Sequence, residues 1–290
     1  MTDVEAGQLR TRAILLILAA MFCFSVMDAS VKALIPRIGV LPSLWTRYAG
    51  QMALVILLIL PRIHLVVRTR YPGFQILRSC LLMCATAAFF TALGLIPLTD
   101  AAALMATNPV LLTLGAALFL GESLGIRRIT GIVVALIGAM IIIRPGSAVF
   151  SLAALLPLAA AACYAGYSLL TRRVGANEDP WTSLFYTALV GTVVFTILVP
   201  FAWQPLDAVS LMIMAGIAVF GMLGQMFLIR AFSAGEAAML APYAYAGIIF
   251  ASGWSMLLFD EWPDLWTVVG TLVIIGSGLY VWHRETRTRS

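Results

Sequence analysis

Ten apolar stretches follow one another along this 290-residue chain, and the connectors between them are very short. Each stretch is about as long as the 20 or so residues that an α-helix needs to cross the hydrocarbon core of a bilayer. The stretches are about twice as long as a strand of a membrane β-barrel, and they lack its strict alternation. Only 11% of the residues are charged and 62% are apolar, so a chain folded in water could not cover its surface with polar groups. We therefore predict an all-α integral membrane protein with ten transmembrane helices. The predicted spans are 13–33, 43–60, 75–96, 100–119, 127–143, 151–171, 181–201, 208–231, 237–258 and 264–282.

The arginines indicate how the chain is oriented, because cytoplasmic connectors are enriched in basic residues. If the amino terminus is cytoplasmic, fourteen arginines fall on the cytoplasmic side, with Arg78 among them. Only Arg37 and Arg144 then fall outside, and the opposite orientation would reverse this bias. We expect both termini to lie in the cytoplasm. The formal net charge of +5 then reflects membrane topology, and we expect no nucleic-acid partner.

The two halves of the sequence match each other at an offset of about 140 residues. Each half contains five predicted spans, and an odd number of spans gives the two copies opposite orientations in the membrane. We therefore predict two inverted five-helix repeats, residues 1–146 and 147–290, that form one integrated unit. Transporters with inverted repeats bind their substrates near the bilayer midplane, at the interface between the copies. The matching landmarks are Cys23-Phe24 with Cys163-Tyr164, Lys32 with Arg172, Gly121-Glu122 with Asp260-Glu261, and Gly131 with Gly270.

Several short motifs accompany the duplication. They are Asp28 and Lys32 late in the first span, Trp45-Thr46-Arg47 in the second, Ala-Thr-Asn-Pro at 106–109, and Gly121-Glu122 followed by Arg127-Arg128. Together with the ten spans and the five-plus-five architecture, these motifs resemble the drug/metabolite transporter superfamily in its EamA-type branch. The resemblance covers nearly the whole chain. The second half departs from the family pattern at Ile248, where many members have a second proline.

The resemblance implies a multi-pass carrier of the inner membrane, commonly an exporter of small metabolites. Members of the branch handle amino acids, nucleotide precursors, sugars joined to nucleotides, or cationic drugs. Among them, this chain looks most like the bacterial exporters of aromatic amino acids. Amino-acid export, with aromatic substrates favoured, is therefore the function that the resemblance implies.

Four charged residues are candidates for a gate or for structural support: Asp28, Lys32, Arg47 and Glu122. Asp28 is the one acid well inside a predicted span, where an unpaired carboxylate is costly. Lys32 follows it by four residues on the same helix face, and Arg47 is a second candidate partner. The group is either a structural ion pair, or a gate or proton-sensitive group beside the substrate path. Glu122 and Glu261 are each expected to cap the start of the next helix.

Prolines and a set of polar and aromatic side chains outline the expected cavity. Pro109 and Pro242 fall in corresponding helices of the two halves, and a bend at each is expected around a midplane site. Aromatic and methionine walls with a polar floor would suit an amphipathic guest, although the same side chains also serve helix packing. The proposed cavity residues are Met83, Thr86, Phe90, Met105, Thr107, Asn108, Tyr164, Tyr167, Gln225, Tyr243, Tyr245 and Trp254.

The sequence favours a secondary carrier that works by alternating access of a central cavity. No glycine-rich phosphate loop is present, so the energy would come from gradients. An intramembrane enzyme is disfavoured, because the two histidines, His64 and His283, lie in a loop and near the carboxyl end. Multidrug or other metabolite efflux is the alternative function, and a channel is a remote one. We expect no cofactor and no metal, a small-molecule substrate, contact with lipid, and function as a monomer. Proton coupling stays open, with transport down the substrate's own gradient favoured.

Overall fold

The structure is a computed structural model that describes residues 3–120, 126–144, 151–175, 178–234 and 237–287. Thirteen α-helices lie in these ranges, joined by short connectors and three 3₁₀ turns. Eight segments are long and apolar enough to cross a membrane. Two shorter apolar segments, Leu98–Leu112 and Ile129–Ile143, bring the number to ten. The predicted class of all-α, multi-pass membrane protein is confirmed.

The helices are α1 (Asp3–Ile38), α2 (Val40–Ile59), α3 (Ile63–Val66), α4 (Pro72–Leu93), α5 (Leu98–Met105), α6 (Asn108–Leu120), α7 (Ile126–Ile143), α8 (Leu155–Gly175), α9 (Pro180–Leu198), α10 (Ala208–Ala234), α11 (Ala237–Ala244), α12 (Ala246–Phe259) and α13 (Leu265–Arg287). The fourth span consists of α5 and α6, and the ninth consists of α11 and α12. Each of the other spans contains one long helix. The first span is longer than predicted, because α1 extends on both sides of residues 13–33.

The fourth and ninth spans are both broken, which the sequence prediction had treated as two single spans with a bend. The fourth breaks between Met105 and Asn108, just before Pro109, whose ring disfavours helical geometry in the preceding residue and which has no N–H to donate. The ninth breaks at Tyr245, three residues after Pro242, although Ile248 rather than proline stands where the first half has Pro109. The two breaks therefore match in position but differ in sequence cause.

Hydrogen bonds at the two breaks share one pattern. The Thr107 carbonyl accepts from the Val110 N–H at 3.0 Å, and the Tyr245 carbonyl accepts from the Ile248 N–H at 3.1 Å. Bonds between residues three apart are tighter than those of an α-helix and are common where a helix changes course. Each half thus carries one discontinuous helix. In the first half the short α5 precedes the longer α6, and in the second half the short α11 precedes the longer α12.

The helix contacts follow the inverted repeat. In the first half, α1 packs on α10 and α12; in the second half, its counterpart α8 packs on α4 and α6. The helices α2 and α9 are counterparts that pack on each other, as are α7 and α13. This is the pattern that a pseudo-two-fold axis in the membrane plane produces, and it interleaves the halves rather than leaving them as separate bodies.

The interface of α7 with α13 depends on two glycines. A Cβ atom at Gly138 would lie 2.9 Å from the carbonyl oxygen of Gly270, and one at Gly270 would lie 2.6 Å from that of Gly138. Neither backbone could accept a side chain at this distance. The two helices can therefore approach each other closely, as small residues allow in membranes.

Polarity in this molecule is reversed relative to a protein in water. Large apolar side chains such as Leu57, Leu257 and Leu272 face outward, whereas Gln51 and Arg78 have no exposed surface. An outer surface of this kind is stable only against lipid. The interior polar groups must instead find their partners inside the protein, and they are the candidates for functional residues.

Candidate functional site

Arg47 is the central charge of the candidate site. It lies on α2, about seven residues and so roughly 10 Å from the outer end of that helix. Its side chain is 4% exposed, its Nη1 donates to the Gln51 side-chain oxygen one turn later, and its guanidinium carbon lies 5.7 Å from the Tyr48 ring. A glycine lies opposite, and a Cβ at this Gly221 of α10 would make a tight contact of 3.2 Å with Arg47 Cδ and Cζ. The guanidinium is thus held between the two halves.

Asp28 supplies the opposite charge. It is partly exposed on α1, and its carboxylate interacts electrostatically with Arg47. The expected ion pair between Asp28 and Lys32 is wrong, because Lys32 binds Glu261 instead. Asp28 and Arg47 form no close ion pair either within the described residues. The carboxylate and the guanidinium therefore interact through space without forming a direct contact.

Two tyrosines of α8 lie next to this charge pair. Tyr164 and Tyr167 stand with their ring centroids 5.5 Å apart, and both interact electrostatically with Arg47. The Tyr167 hydroxyl accepts a hydrogen bond from Gln225 Nε2 of α10 at 2.8 Å. Predicted residues Tyr164, Tyr167 and Gln225 are thus brought together with Arg47. The two tyrosine rings and the Gln225 amide therefore lie beside the charge of Arg47.

Tyr48, which the sequence analysis did not select, lies next to the Arg47 guanidinium. Its hydroxyl donates to Thr86 Oγ1 at 3.0 Å, which ties α2 to α4, and its ring stacks on Phe195 of α9. A Cβ at Gly191 would lie 2.3 Å from the same ring. Thr86, a predicted cavity residue, therefore acts as the acceptor that positions Tyr48.

Arg78 is a second buried arginine, and its contacts were not predicted from the sequence. It was counted among the cytoplasmic basic residues, but it lies in α4 with no exposed surface. Its Nη2 donates to the Ser183 carbonyl at 2.6 Å and to Thr187 Oγ1 at 2.9 Å, and its guanidinium carbon lies 5.4 Å from the Tyr167 ring. These partners fasten α4 to α8 and α9. The position near the predicted start of a span hid this role.

Lys32 and Glu261 form a junction near the outer ends of the helices. Lys32 Nζ lies 2.9 Å from Glu261 Oε1 and also donates to the Ile96 carbonyl at 2.9 Å. Glu261 Oε2 accepts from the Leu98 N–H at 3.3 Å and from Ser255 Oγ at 3.0 Å. We call these five residues the outer junction. It connects α1 and the start of α5 in the first half with α12 in the second.

The predicted capping role of Glu261 needs correction. Its carboxylate accepts from the first residue of α5 in the other half, whereas the next helix, α13, is capped by Asp264, which accepts from the Thr267 N–H at 2.8 Å. A partner so distant in sequence cannot be read from local spacing. Glu122, for which the same role was expected, lies outside the described residues.

The remaining predicted cavity residues are dispersed. Phe90 is buried in the main apolar cluster, and Met83, Met105 and Trp254 pack against that cluster. Trp254 Nε1 also donates to Ser25 Oγ at 3.1 Å. The group that was expected to line one cavity is therefore divided, and these four side chains contribute mainly to packing between the halves.

The residues at the two helix breaks are also divided. Thr107 is buried and donates to the Leu104 carbonyl at 2.8 Å, while Asn108 Nδ2 donates to the Ala161 carbonyl of α8 at 3.1 Å. Tyr243 packs with Tyr164 in one apolar cluster. Tyr245 belongs to another cluster. A Cβ at Gly278 of α13 would lie 1.9 Å from the Tyr245 hydroxyl, so this tyrosine fills the α11–α13 contact.

Within the described ranges, no three His, Cys, Asp or Glu side chains are grouped so that they could hold a metal ion. The described cysteines are all unpaired, and Cys23 is buried in α1. The chemistry of the site is therefore that of charges, amides and aromatic rings. Such a site can bind and orient a molecule of mixed polarity.

Comparisons with known proteins agree with this architecture. The profile of the EamA-like transporter family matches the chain twice, at residues 11–144 and 151–282. The chain is 31% identical to a pseudopaline exporter of Pseudomonas aeruginosa, over 90% of this chain and 93% of the relative. It is 30% identical to a riboflavin transporter of Vibrio cholerae, over 82% of each chain. It is 27% identical to an S-adenosylmethionine uptake transporter of Rickettsia felis, over 77% of this chain and 76% of the relative.

One solved crystal structure aligns with the chain over the whole length of both, with a TM-score of 0.60 and 19% sequence identity. At this identity the likeness shows the fold alone. The three curated relatives carry different molecules, and their names include both an exporter and an uptake transporter. Neither the substrate nor the direction follows from the comparisons.

Proposed function

The chain belongs to the EamA-like transporter family, and from this premise we propose that it exports small amphipathic metabolites of the amino-acid class, with aromatic amino acids favoured. The protein is a small-molecule transporter and a multi-pass protein of the inner membrane. Export and the amino-acid class are the proposed parts. We further propose that it works as a monomer, in which the repeats 1–146 and 147–290 form one integrated transport unit.

One observation carries the proposal of an amino-acid substrate: the separated charges of Asp28 and Arg47 lie beside the tyrosine pair Tyr164 and Tyr167. An aromatic amino acid has the same combination of features, with two opposite charges on one carbon and a flat apolar ring. Aromatic walls with a few oriented polar groups are typical of small-molecule sites. The Gln225 amide adds a donor–acceptor pair to the same wall.

The mechanism that we propose is alternating access around this layer. The short helices α5 and α11 are joined to their longer partners only through the breaks at 106–107 and at Tyr245, so each can change its angle without unwinding a long span. The outer junction holds the start of α5 to the other half. For the site to open outward, Lys32 and Glu261 must separate, and their return closes the path again.

Efflux of drugs or of other metabolites is the second candidate. It is supported by the variety of molecules in the names of the relatives, which shows that this architecture accommodates different substrates. A cation without a carboxylate would need Asp28 and the aromatic wall but would be repelled by Arg47. The ability of a lipophilic cation to compete with phenylalanine therefore distinguishes the two candidates.

Counterflow in proteoliposomes tests the proposed function. Vesicles containing the purified protein would be loaded with unlabelled phenylalanine, and the entry of labelled phenylalanine would be followed with leucine, lysine and a cationic dye as competitors. We expect saturable entry that aromatic amino acids inhibit best. If folded protein exchanges the dye but not phenylalanine, the amino-acid proposal is wrong and the efflux alternative replaces it.

A further inference from the structure

The Arg47 side chain has fewer hydrogen-bond partners than its burial requires. Its Nη1 is bonded to Gln51 Oε1, but its Nε has no partner within the described part of the chain. Gln51 has no exposed surface, and its Nε2 has no partner either. Buried donors of this kind are costly, and most of them are satisfied in native proteins. Two adjacent donors are therefore available at one position between the halves.

Arg78, the other fully buried arginine of the spans, also has an Nε without a partner in the described part of the chain, so the difference from Arg47 lies in the terminal nitrogens. Arg78 distributes its charge over Ser183, Thr187 and Thr171, all of them oxygen acceptors of the protein. Arg47 instead bonds to a single neutral amide that itself lacks an acceptor. The protein supplies Arg78 with a set of fixed partners, which suits a structural role, and it leaves Arg47 with the capacity to bind another group.

Asp28 supplies an opposite charge that acts on Arg47 without direct contact. Asp28 is partly exposed, interacts with Arg47 through space, and forms no close ion pair within the described residues. Met27 and Gly221 lie between α1, α2 and α10 at the same level, since a Cβ at Gly221 would contact both Met27 Sδ and the Arg47 guanidinium. A short molecule with one anionic and one cationic end would satisfy both charges.

We propose that Asp28, Arg47 and Gln51 form a head-group site for the zwitterion of an α-amino acid. The carboxylate of the bound amino acid accepts hydrogen bonds from Arg47 Nε and Gln51 Nε2. The ammonium group of the amino acid binds the Asp28 carboxylate. Charge-assisted hydrogen bonds to a carboxylate are short and strong, and arginine is suited to them. The side chain of the substrate then lies towards Tyr164 and Tyr167. This inference rests on the proposed transport function and assigns the substrate class to particular atoms.

The site has no net formal charge, and this makes it selective. A zwitterion brings no net charge to it and pairs both ends. A molecule that lacks the ammonium group leaves Asp28 unpaired, and one that lacks the carboxylate leaves Arg47 and Gln51 unpaired. A site built to bind a polar group discriminates strongly against an analogue without that group, because its own buried polar atoms then remain unsatisfied.

The first test uses the unaltered protein, so that it does not depend on a variant folding. Labelled phenylalanine counterflow would be inhibited with unlabelled phenylalanine, with 3-phenylpropionate, which lacks the ammonium group, and with phenethylamine, which lacks the carboxylate. We expect each analogue to inhibit about ten- to a hundredfold more weakly than phenylalanine. If either analogue inhibits as well as phenylalanine does, the head-group site is wrong although transport stands. If the protein exchanges only compounds that are not amino acids, the site is again wrong, and if it exchanges none of the compounds, the transport proposal fails with it.

The second test asks whether Asp28 recognises the ammonium group in particular. Asp28→Asn should weaken inhibition by phenylalanine by about tenfold while leaving inhibition by 3-phenylpropionate unchanged or stronger. The ratio of the two inhibition constants does not change if the substitution only lowers the amount of folded protein. The matched control is Arg37→Gln, which removes an exposed charge at the outer surface and should keep the original ratio. An unchanged ratio in Asp28→Asn would contradict the assignment.

Discussion

Replacing Glu261 by glutamine would test whether the outer junction stabilises the closed protein. The substitution removes the negative charge that lies 2.9 Å from Lys32 Nζ, but its amide oxygen can still accept from the Leu98 N–H and from Ser255. Breaking a fully buried ion pair costs about 3–5 kcal/mol, whereas an exposed pair contributes about 0–1 kcal/mol. The side chains of Lys32 and Glu261 are 11% and 29% exposed. The expected cost therefore lies between these limits, at about 2 kcal/mol.

A double-mutant cycle isolates the pair from the other effects of each substitution. Lys32→Met, Glu261→Gln and the double variant would be compared by equilibrium unfolding in mixed detergent micelles. Lys32 keeps the Ile96 carbonyl when Glu261 is changed, so the coupling energy should be smaller than the whole cost, at about 1 kcal/mol or more. The reasoning predicts that the double variant is less destabilised than the sum of the single ones.

Arg37 and Asp207 provide the matched control for this cycle. They also form an ion pair of 2.9 Å between the halves at the outer surface, but their side chains are 45% and 54% exposed. Solvent screening should make their coupling clearly weaker than that of Lys32 and Glu261. If the two cycles give equal coupling energies, then burial does not strengthen the outer junction, and the account of its stability is refuted.

Two further predictions concern packing and pH. Gly191→Ala should lower the stability by about 1–3 kcal/mol, because the new Cβ would lie 2.3 Å from the Tyr48 ring. Gly216→Ala is the control and should not lower it, because no atom lies within 4 Å of the new Cβ. Thermal unfolding of both variants checks this prediction. Asp264→Ala should destabilise the protein at pH 7. Partial burial of Asp264 disfavours its charged form and raises its pKa, but the hydrogen bonds from Thr267 outweigh this effect and hold the pKa below its ordinary value of 3.8. A lowered pKa contributes stability above pH 3.8 that is lost as the pH falls through the folded-state value, so the difference from the unaltered protein should persist down to about pH 4 and then shrink. A difference that is already lost at pH 6 would contradict this assignment.

The spans and the family could be predicted from the sequence because both depend on patterns that extend over many residues. Hydropathy over 20 residues identifies a membrane helix whatever its neighbours are. The interruptions of the fourth and ninth spans were only partly predictable. Pro109 marks the first break, but at the second break Ile248 offers no comparable signal, and there the packing of Tyr245 against Gly278 accompanies the change of course.

The partners of charged residues were the least predictable part of the site. Lys32 was expected to bind Asp28, because the spacing of four residues suits a helix, but the structure pairs it with Glu261 of the other half. Sequence spacing describes only contacts within one helix, and a ten-helix bundle forms most of its polar contacts between helices. Gln51 was missed although its contact with Arg47 lies within one helix. Its position one turn after Arg47 on the same face was the signal that could have identified it.

The cavity residues show a similar limit. Tyr164, Tyr167 and Gln225 were expected to lie together, and they do, because i, i+3 spacing on α8 and a long-range hydrogen bond agree. Tyr245 and Phe90 have the same residue types in the same kind of span, yet they fill apolar clusters. Composition alone does not distinguish an aromatic residue that binds a ligand from one that packs. Burial does not distinguish them either, since Tyr167 is 2% and Tyr245 is 7% exposed; the difference is that Tyr167 interacts with Arg47.

Trans-acceleration of efflux tests alternating access most directly. Proteoliposomes would be loaded with labelled phenylalanine, and its exit would be measured with and without unlabelled phenylalanine outside. A carrier that alternates around one site returns faster when loaded, so we predict faster exit with external substrate and a rate that saturates with the internal concentration. An exit rate that rises in proportion to concentration and ignores external substrate would indicate an open pore, and it would contradict the account.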